Sequence, residues 1–192
     1  LPRDESRTGT SIMIVDYDTE DEGNETIGRR VAESMLWHFW PRMMDSVSES
    51  RKFNCTIEVD GSVLPIPAPE EFPPLDLFCK AMTAARTGEG NDVRHIKCRN
   101  PKADLGRLAL EKGLRPPPRR LLPLDKSIIP DVSHFIALMR PVELVVKYLE
   151  GPALPGENVH WAGVFLVNDS ESIERAFAES EPPAHDDWIP NN

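Results

Sequence analysis

The stretch 134–168 constrains the fold most. It carries three apolar runs, 134–139, 142–149 and 159–167, rich in Val, Ile, Leu, Phe, Tyr and Trp. Arg140-Pro141 separates the first two, and Gly151-Pro-Ala-Leu-Pro-Gly156 lies ahead of the third. β-Branched and aromatic side chains fit a pleated, half-buried surface, while Pro and Gly interrupt it. The pattern therefore predicts three strands joined by turns. We read them as an antiparallel sheet on which the other elements pack.

The upstream chain supplies those elements. Residues 9–16 read as a short strand and 18–25 as an acidic turn. Residues 24–45 form the strongest helix pattern: Ile27, Val31, Met35 and Phe39 recur every fourth position, and Leu36, Trp40 and Met43 widen the stripe. Acidic residues ahead of it suit the positive end of the helix dipole. Pro41 lacks an N–H and clashes with the preceding turn, so the helix is expected to kink or stop near Trp40. Residues 52–59 alternate, with Phe53, Cys55, Ile57 and Val59 on one face of a strand. Asp60-Gly61 predicts a tight turn, and 62–66 a short returning strand.

Five prolines between positions 65 and 74 force an extended loop. A second helix is expected over 75–86, with Leu75, Phe78, Cys79 and Met82 on one face. A strand follows over 93–99; residues 105–110 suit a strand or a helix and are read as a strand, ahead of a Pro-rich basic loop at 115–120. Ile128-Ile129 is expected to open the main sheet. A short helix over 169–179 turns Ile173, Ala176 and Phe177 inward, with Asp169 or Ser170 as N-cap. The remaining tail, 180–192, is acidic and irregular. The fold class is α+β: a mixed, largely antiparallel sheet with two longer helices. The division is 1–70, a strand-helix-strand subdomain, and 71–192, carrying the C-terminal sheet, short helix and acidic tail. The two meet near 70–92 or merge into one compact domain.

Charge narrows the function. With 22 Lys and Arg against 32 Asp and Glu, the net charge is −10, which argues against broad nucleic-acid binding as the main task. The average hides an asymmetry. Residues 94–126 hold ten basic and three acidic side chains, a local +7, so the remainder carries −17. Cys55, Cys79 and Cys98 are odd in number and widely spaced, without a Cys-x-x-Cys pair. They read as reduced thiols of a cytoplasmic protein rather than zinc ligands or a disulfide framework. No apolar run approaches the roughly 18 residues of a membrane span, and no signal peptide is expected from the residues after Leu1. Because it begins at Leu1, a longer parent protein is expected.

Motifs of catalysis are sparse. Thr87-Gly-Glu-Gly90 lacks the following Gly-Lys-Ser/Thr of a phosphate-binding loop and reads as a turn. There is no Gly-x-Ser-x-Gly elbow. His185-Asp186-Asp187 offers metal-ligand chemistry, but adjacent residues in a tail rarely converge on one ion, so no metal is assigned. Trp188 reads as an anchor docking the tail, and His38 as a residue at the edge of the first helix stripe. Arg94, Lys97, Arg99 and Lys102 form a basic face. That face suits either phosphates or compensation of the chain's own acids. Arg140, at a strand end before Pro141, either reaches a phosphate across a domain boundary by bidentate bonding or serves a hairpin turn.

Two sets of residues carry a family resemblance. The first is Gly9-Thr-Ser-Ile-Met-Ile-Val, then Val31-Ala-Glu-Ser-Met-Leu-Trp-His-Phe-Trp-Pro41, then Phe53-x-Cys-x-Ile-x-Val59. The second is Phe135-Ile-Ala-Leu-Met-Arg140-Pro, running on to Leu149, with Trp161-Ala-Gly-Val-Phe165 and Glu181-Pro-Pro-Ala-His-Asp-Asp-Trp188. Together they resemble the region downstream of the ATP-binding domain in bacterial GHKL-type ATPases, the group of gyrase, the heat-shock chaperone and histidine kinases. The family's nucleotide-site motifs are missing from this chain. The resemblance therefore implies a non-catalytic transducer-like domain with a βαββ core. Its partner would be an adjacent ATP-binding domain of the same protein, which alone would hold ATP and Mg. A homodimer is a further arrangement, and membranes play no part. Arg140 or Lys147 would contact the terminal phosphate. Some members of the group act in defence against phage. The alternative reading is a nucleic-acid-binding module that uses the basic 94–126 segment.

Overall fold

The computed structural model describes residues 13–14, 19, 22–156, 158–184 and 187–189. The strand expected over 9–16 lies almost wholly outside them, and Met13 and Ile14 are exposed. Helix α1 spans Asn24–Met43. A short hairpin follows, β1 (Ile57–Val59) and β2 (Ser62–Leu64). Helix α2 spans Leu75–Thr87. The main sheet contains β3 (Val93–Arg99), β4 (Lys102–Leu114), β5 (His134–Met139), β6 (Val145–Glu150) and β7 (Val159–Val167). Helix α3, Glu171–Glu179, comes last and begins after Ser170. The architecture is α+β, with mostly antiparallel pairing.

The sheet order is β3-β4-β7-β5-β6. Every neighbouring pair is antiparallel except β5 and β7, which run parallel. This corrects the all-antiparallel expectation for the last three strands. The β5–β6 hairpin returns the chain to the starting end of β5. Residues 151–156 lead the chain past that end, so β7 starts level with β5 and must run alongside it. Gly151 N–H donates to the His134 carbonyl at 2.8 Å, and the Trp161 indole N–H donates to the Pro152 carbonyl at 2.9 Å. Both bonds pin the crossover. Ile128-Ile129 opens no strand; the segment is irregular, and its Ile128 N–H points to α1.

Alternation along β7 divides the sheet into two faces. Ala162 and Val164 lie in the core with α1 and α2, together with Ala109 of β4 and Ala137 and Met139 of β5. Ala109 and Ala137 flank Val164 from the two neighbouring strands. These short side chains make room for Leu77, Phe78 and Met82 of α2. Phe165 faces the other way, where Phe177 of α3 and Trp188 close on it with ring centroids at 6.0 and 6.2 Å. The core joins Leu36 and Trp40 to Phe78 and Val164, and so runs across the boundary at residue 70.

Helix α1 is rotated from its apolar ladder. Its buried positions are Gly28, Ala32, Glu33, Leu36, Trp37, Trp40 and Pro41, whereas Val31 is 46% exposed. Small residues explain the shift. A Cβ on Gly28 would stand 2.5 Å from a Val59 methyl, so the β1–β2 hairpin rests directly on the helix there. Glu33 points inward because its carboxylate accepts from the Ser127 hydroxyl at 2.7 Å and the Ile128 N–H at 3.0 Å. The hairpin turn is as expected: Asp60 and Gly61 both adopt positive φ, 50° and 80°, the pair of left-handed residues that a two-residue hairpin needs. Its strands are shorter than the alternation suggested, and Phe53 stacks on Phe39 outside the sheet. In α3, Phe177 is half-buried but Ala176 is exposed, against expectation.

Pro41 lies within the last turn of α1, which continues to Met43. Without an N–H at position 41, the Trp37 carbonyl loses its intrahelical donor. The Tyr148 hydroxyl of β6 replaces it, donating to that carbonyl at 2.6 Å and accepting from the Trp40 indole N–H at 3.0 Å. The Tyr148 ring stacks on Trp37 at 3.8 Å and meets Phe78 edge-on. Burial holds the phenol well above its ordinary pKa, so it stays a donor.

Candidate functional site

Arg140 directly follows β5 and opens a turn closed by Glu143 N–H donating to its carbonyl at 2.8 Å. Its guanidinium reaches α3 and the tail. Nε donates to Glu174 at 3.0 Å, Nη2 donates to the same Glu174 oxygen, and Nη1 donates to Glu181 at 3.2 Å. The Glu174 carboxylate raises the Arg140 pKa further. Lys147 pairs with Leu138 in β6–β5 register, and Leu138 in turn pairs with Phe165. Lys147 therefore shares the α3 face of the sheet. Its ammonium meets both Asp187 oxygens at 2.7 Å, which lowers the Asp187 pKa.

The two phosphate-contacting candidates thus converge on one segment, α3 and the residues after it. Trp188 completes that attachment. Its ring packs edge-on against Phe165 and Phe177, and its N–H donates to Glu181 at 3.2 Å. The docking role expected of Trp188 is what the structure displays. His185 and Asp186 lie outside the described residues. Among the described residues, no cluster of three or more His, Cys, Asp or Glu has the makings of a metal site. A cavity of about 440 Å³ opens beside Arg140, lined by Phe39, Val142, Leu144, Val145 and Glu181 among others, with His38 at its edge.

The basic face is divided by the sheet. Arg99 pairs directly with Lys102, and Lys97 with Asp104. Strand alternation then puts Lys97, Arg99 and Lys102 on one side with Asp104, which bonds His95 at 2.7 Å. Arg94 falls on the other side, where its guanidinium clasps Asp92 at 2.7 and 3.1 Å. Much of the basic segment is compensated within the chain. Arg120 and Arg115 approach Asp131, and Lys126 meets Glu22 at 2.7 Å. All three cysteines are free thiols, and burial pushes the Cys79 thiol far up.

Sequence reasoning missed a third cationic group. Glu143 is 5% exposed and accepts from Arg86 through both oxygens at 3.1 Å, while Arg51 meets it at 3.2 Å. Arg107 comes from β4 and donates to the Arg86 carbonyl at 3.0 Å. These residues come from α2, β4 and two turns, so no spacing links them. The only local signal is an acid set between Val142 and Leu144 in an apolar run.

His160 is a separate feature. It is buried at 2% exposure on β7, where the Leu114 backbone approaches the ring without forming a well-aligned hydrogen bond. Burial lowers its pKa, and Asp76 only partly opposes the shift. The folded state therefore holds the neutral ring, while the unfolded chain binds the proton more readily. Stability from this group is full above the ordinary histidine value and falls as pH drops through about 6.5 toward the lowered folded pKa. Urea melts between about pH 5 and pH 7 are expected to show stability rising with pH, with a shallower slope in His160→Gln. Equal slopes would mean that another group dominates.

No helix among the described residues is long and apolar enough to cross a membrane. No family model, curated protein or solved structure matches the chain.

Proposed function

We propose that this chain is a non-catalytic interaction module whose cations exchange counter-anions with a neighbour. In its narrower form it is the transducer-like domain of a bacterial GHKL-type ATPase, set beside the ATP-binding domain of the same protein. One observation carries the reading. Arg140, just beyond the end of β5, and Lys147 of β6 are neutralised by carboxylates of α3 and the tail, and α3 buries no residue fully. A segment held mainly by ion pairs and two aromatic rings is easily displaced, because partly exposed pairs contribute only about 0–1 kcal/mol each. A terminal phosphate with more charge than a carboxylate competes for the same guanidinium. Guanidinium and ammonium groups position and stabilise phosphoryl oxygens without moving a proton. ATP and Mg belong to the neighbour in this reading.

ATP turnover by the native gene product, compared with its Arg140→Ala and Lys147→Ala forms, tests the proposal. Loss of the phosphate-contacting cation is expected to reduce turnover at least about tenfold, with nucleotide affinity little changed. Arg140→Ala should also speed amide exchange across α3. A native product without ATP turnover, or turnover indifferent to both substitutions, would defeat the transducer form. The second reading uses the three cations that share one side of the β3–β4 hairpin. Salt-sensitive nucleic-acid binding lost on reversing Lys97 and Arg99 would favour it instead.

A further inference from the structure

We infer that the polar cavity between Arg51, Arg86 and Arg107 is a binding site for a phosphate group. The cavity measures about 280 Å³ and is bounded also by Glu143, Pro141 and Asn168. That is below the roughly 300–1,000 Å³ of pockets that enclose a whole drug-sized ligand. It suits one charged group, with the rest of the ligand outside.

Hydrogen-bond capacity identifies which cations are available. A guanidinium has five N–H donors. Those of Arg86 are engaged: Nε and Nη2 with Glu143, Nη2 also with the Pro41 carbonyl, and Nη1 with the Ser46 hydroxyl and the Met44 sulfur. Arg86 is the fixed back wall. Arg51 uses Nη2 on Glu143, and Arg107 uses Nη1 on the Arg86 carbonyl. Their other donors have no partner among the described residues. The Asn168 side-chain oxygen accepts from Ser170 N–H, which leaves its amide N–H₂ group available.

Charge gives the ligand class. Three guanidiniums against the carboxylates of Glu143 and Asp169 leave the lining formally +1. Asp169 stands at the rim and is exposed, so solvent weakens its effect. A phosphate monoester is an anion that suits this excess of cations, and it presents the acceptor oxygens that two arginine forks need. A carboxylate offers two acceptor oxygens where a phosphate monoester offers three, fewer than the free donors of Arg51 and Arg107 can use. A purely structural role, capping the end of α2, accounts for one Arg107 contact and none of the remaining donors.

The site is independent of the Arg140 ion pairs, although the Arg140–Glu143 turn joins them. The test is a titration of the whole chain with inorganic phosphate at constant ionic strength, followed by isothermal calorimetry and thermal melting. Acetate and chloride serve as matched anions. The wild type is expected to bind phosphate in preference to both. Arg51→Gln and Arg107→Gln are each expected to weaken binding at least about tenfold, the loss for a charge-assisted hydrogen bond. Lys97→Gln combined with Arg99→Gln should leave it unchanged. Arg51 is 51% exposed on its side chain, so its substitution leaves the fold intact as an internal control. The inference is overturned if phosphate acts no differently from acetate. It is also overturned if the hairpin variant, rather than Arg51→Gln and Arg107→Gln, abolishes binding.

Discussion

Tyr148→Ala is expected to destabilise the protein by about 3–5 kcal/mol, the range for removing a large buried aromatic ring. The ring stacks on Trp37 and edges against Phe78, and its hydroxyl bridges the Trp40 indole and the Trp37 carbonyl. Tyr148→Phe isolates the hydroxyl. It keeps the ring but leaves two buried polar groups unpaired, a cost of about 1–3 kcal/mol. The cause lies in Pro41, so a double-mutant cycle reaches it directly. In Pro41→Ala the restored N–H at position 41 bonds the Trp37 carbonyl as in any helix. Tyr148→Phe should then cost less, with a coupling of about 1 kcal/mol. Urea melts of the four proteins give the number. Additive effects would show that the hydroxyl and the proline are unconnected.

Glu143→Ala is expected to cost about 3 kcal/mol, near the low end for removing one partner of a buried ion pair. Its carboxylate is almost fully enclosed, and Arg86 keeps 22% side-chain exposure. The substitution strands the Arg86 guanidinium without a counter-charge, although its bonds to the Pro41 carbonyl and Ser46 survive. Arg51 contributes little, since it is half exposed. Removing both charges together, as Glu143→Leu with Arg86→Met, should cost less than Glu143→Ala alone, because neither ion is then left buried and unpaired. Denaturant midpoints of the two variants and the wild type decide this. A loss below about 1 kcal/mol in Glu143→Ala would mean that water already screens the pair.

Legibility differed between elements for physical reasons. Helix α2 was visible because its apolar positions repeat at helical spacing and all four expected residues are buried. The Asp60-Gly61 turn was visible because few other pairs tolerate two left-handed conformations. The face of α1 was misjudged by one position. Hydrophobicity ranks Val31 above Gly28 and Glu33, but close approach favours the glycine, and two hydrogen bonds retain the acid. The place of Arg140, directly after a strand and before Pro141, was legible. Its partners, Glu174 and Glu181, lie 34 and 41 residues away, and no spacing rule links them.

The amino-acid sequence by itself determined where most helices and strands form, because local periodicity and turn chemistry act over a few residues. It also determined that the chain is α+β and that 94–126 is strongly basic. Only the tertiary structure decided that β5 and β7 run parallel, since that follows from which end of the sheet the crossover passes. It likewise decided the pairing of the charges. Ion pairs depend on distances between side chains brought together by folding, so the basic face is divided, Arg140 and Lys147 meet the α3 segment, and three arginines from separate elements surround one buried glutamate.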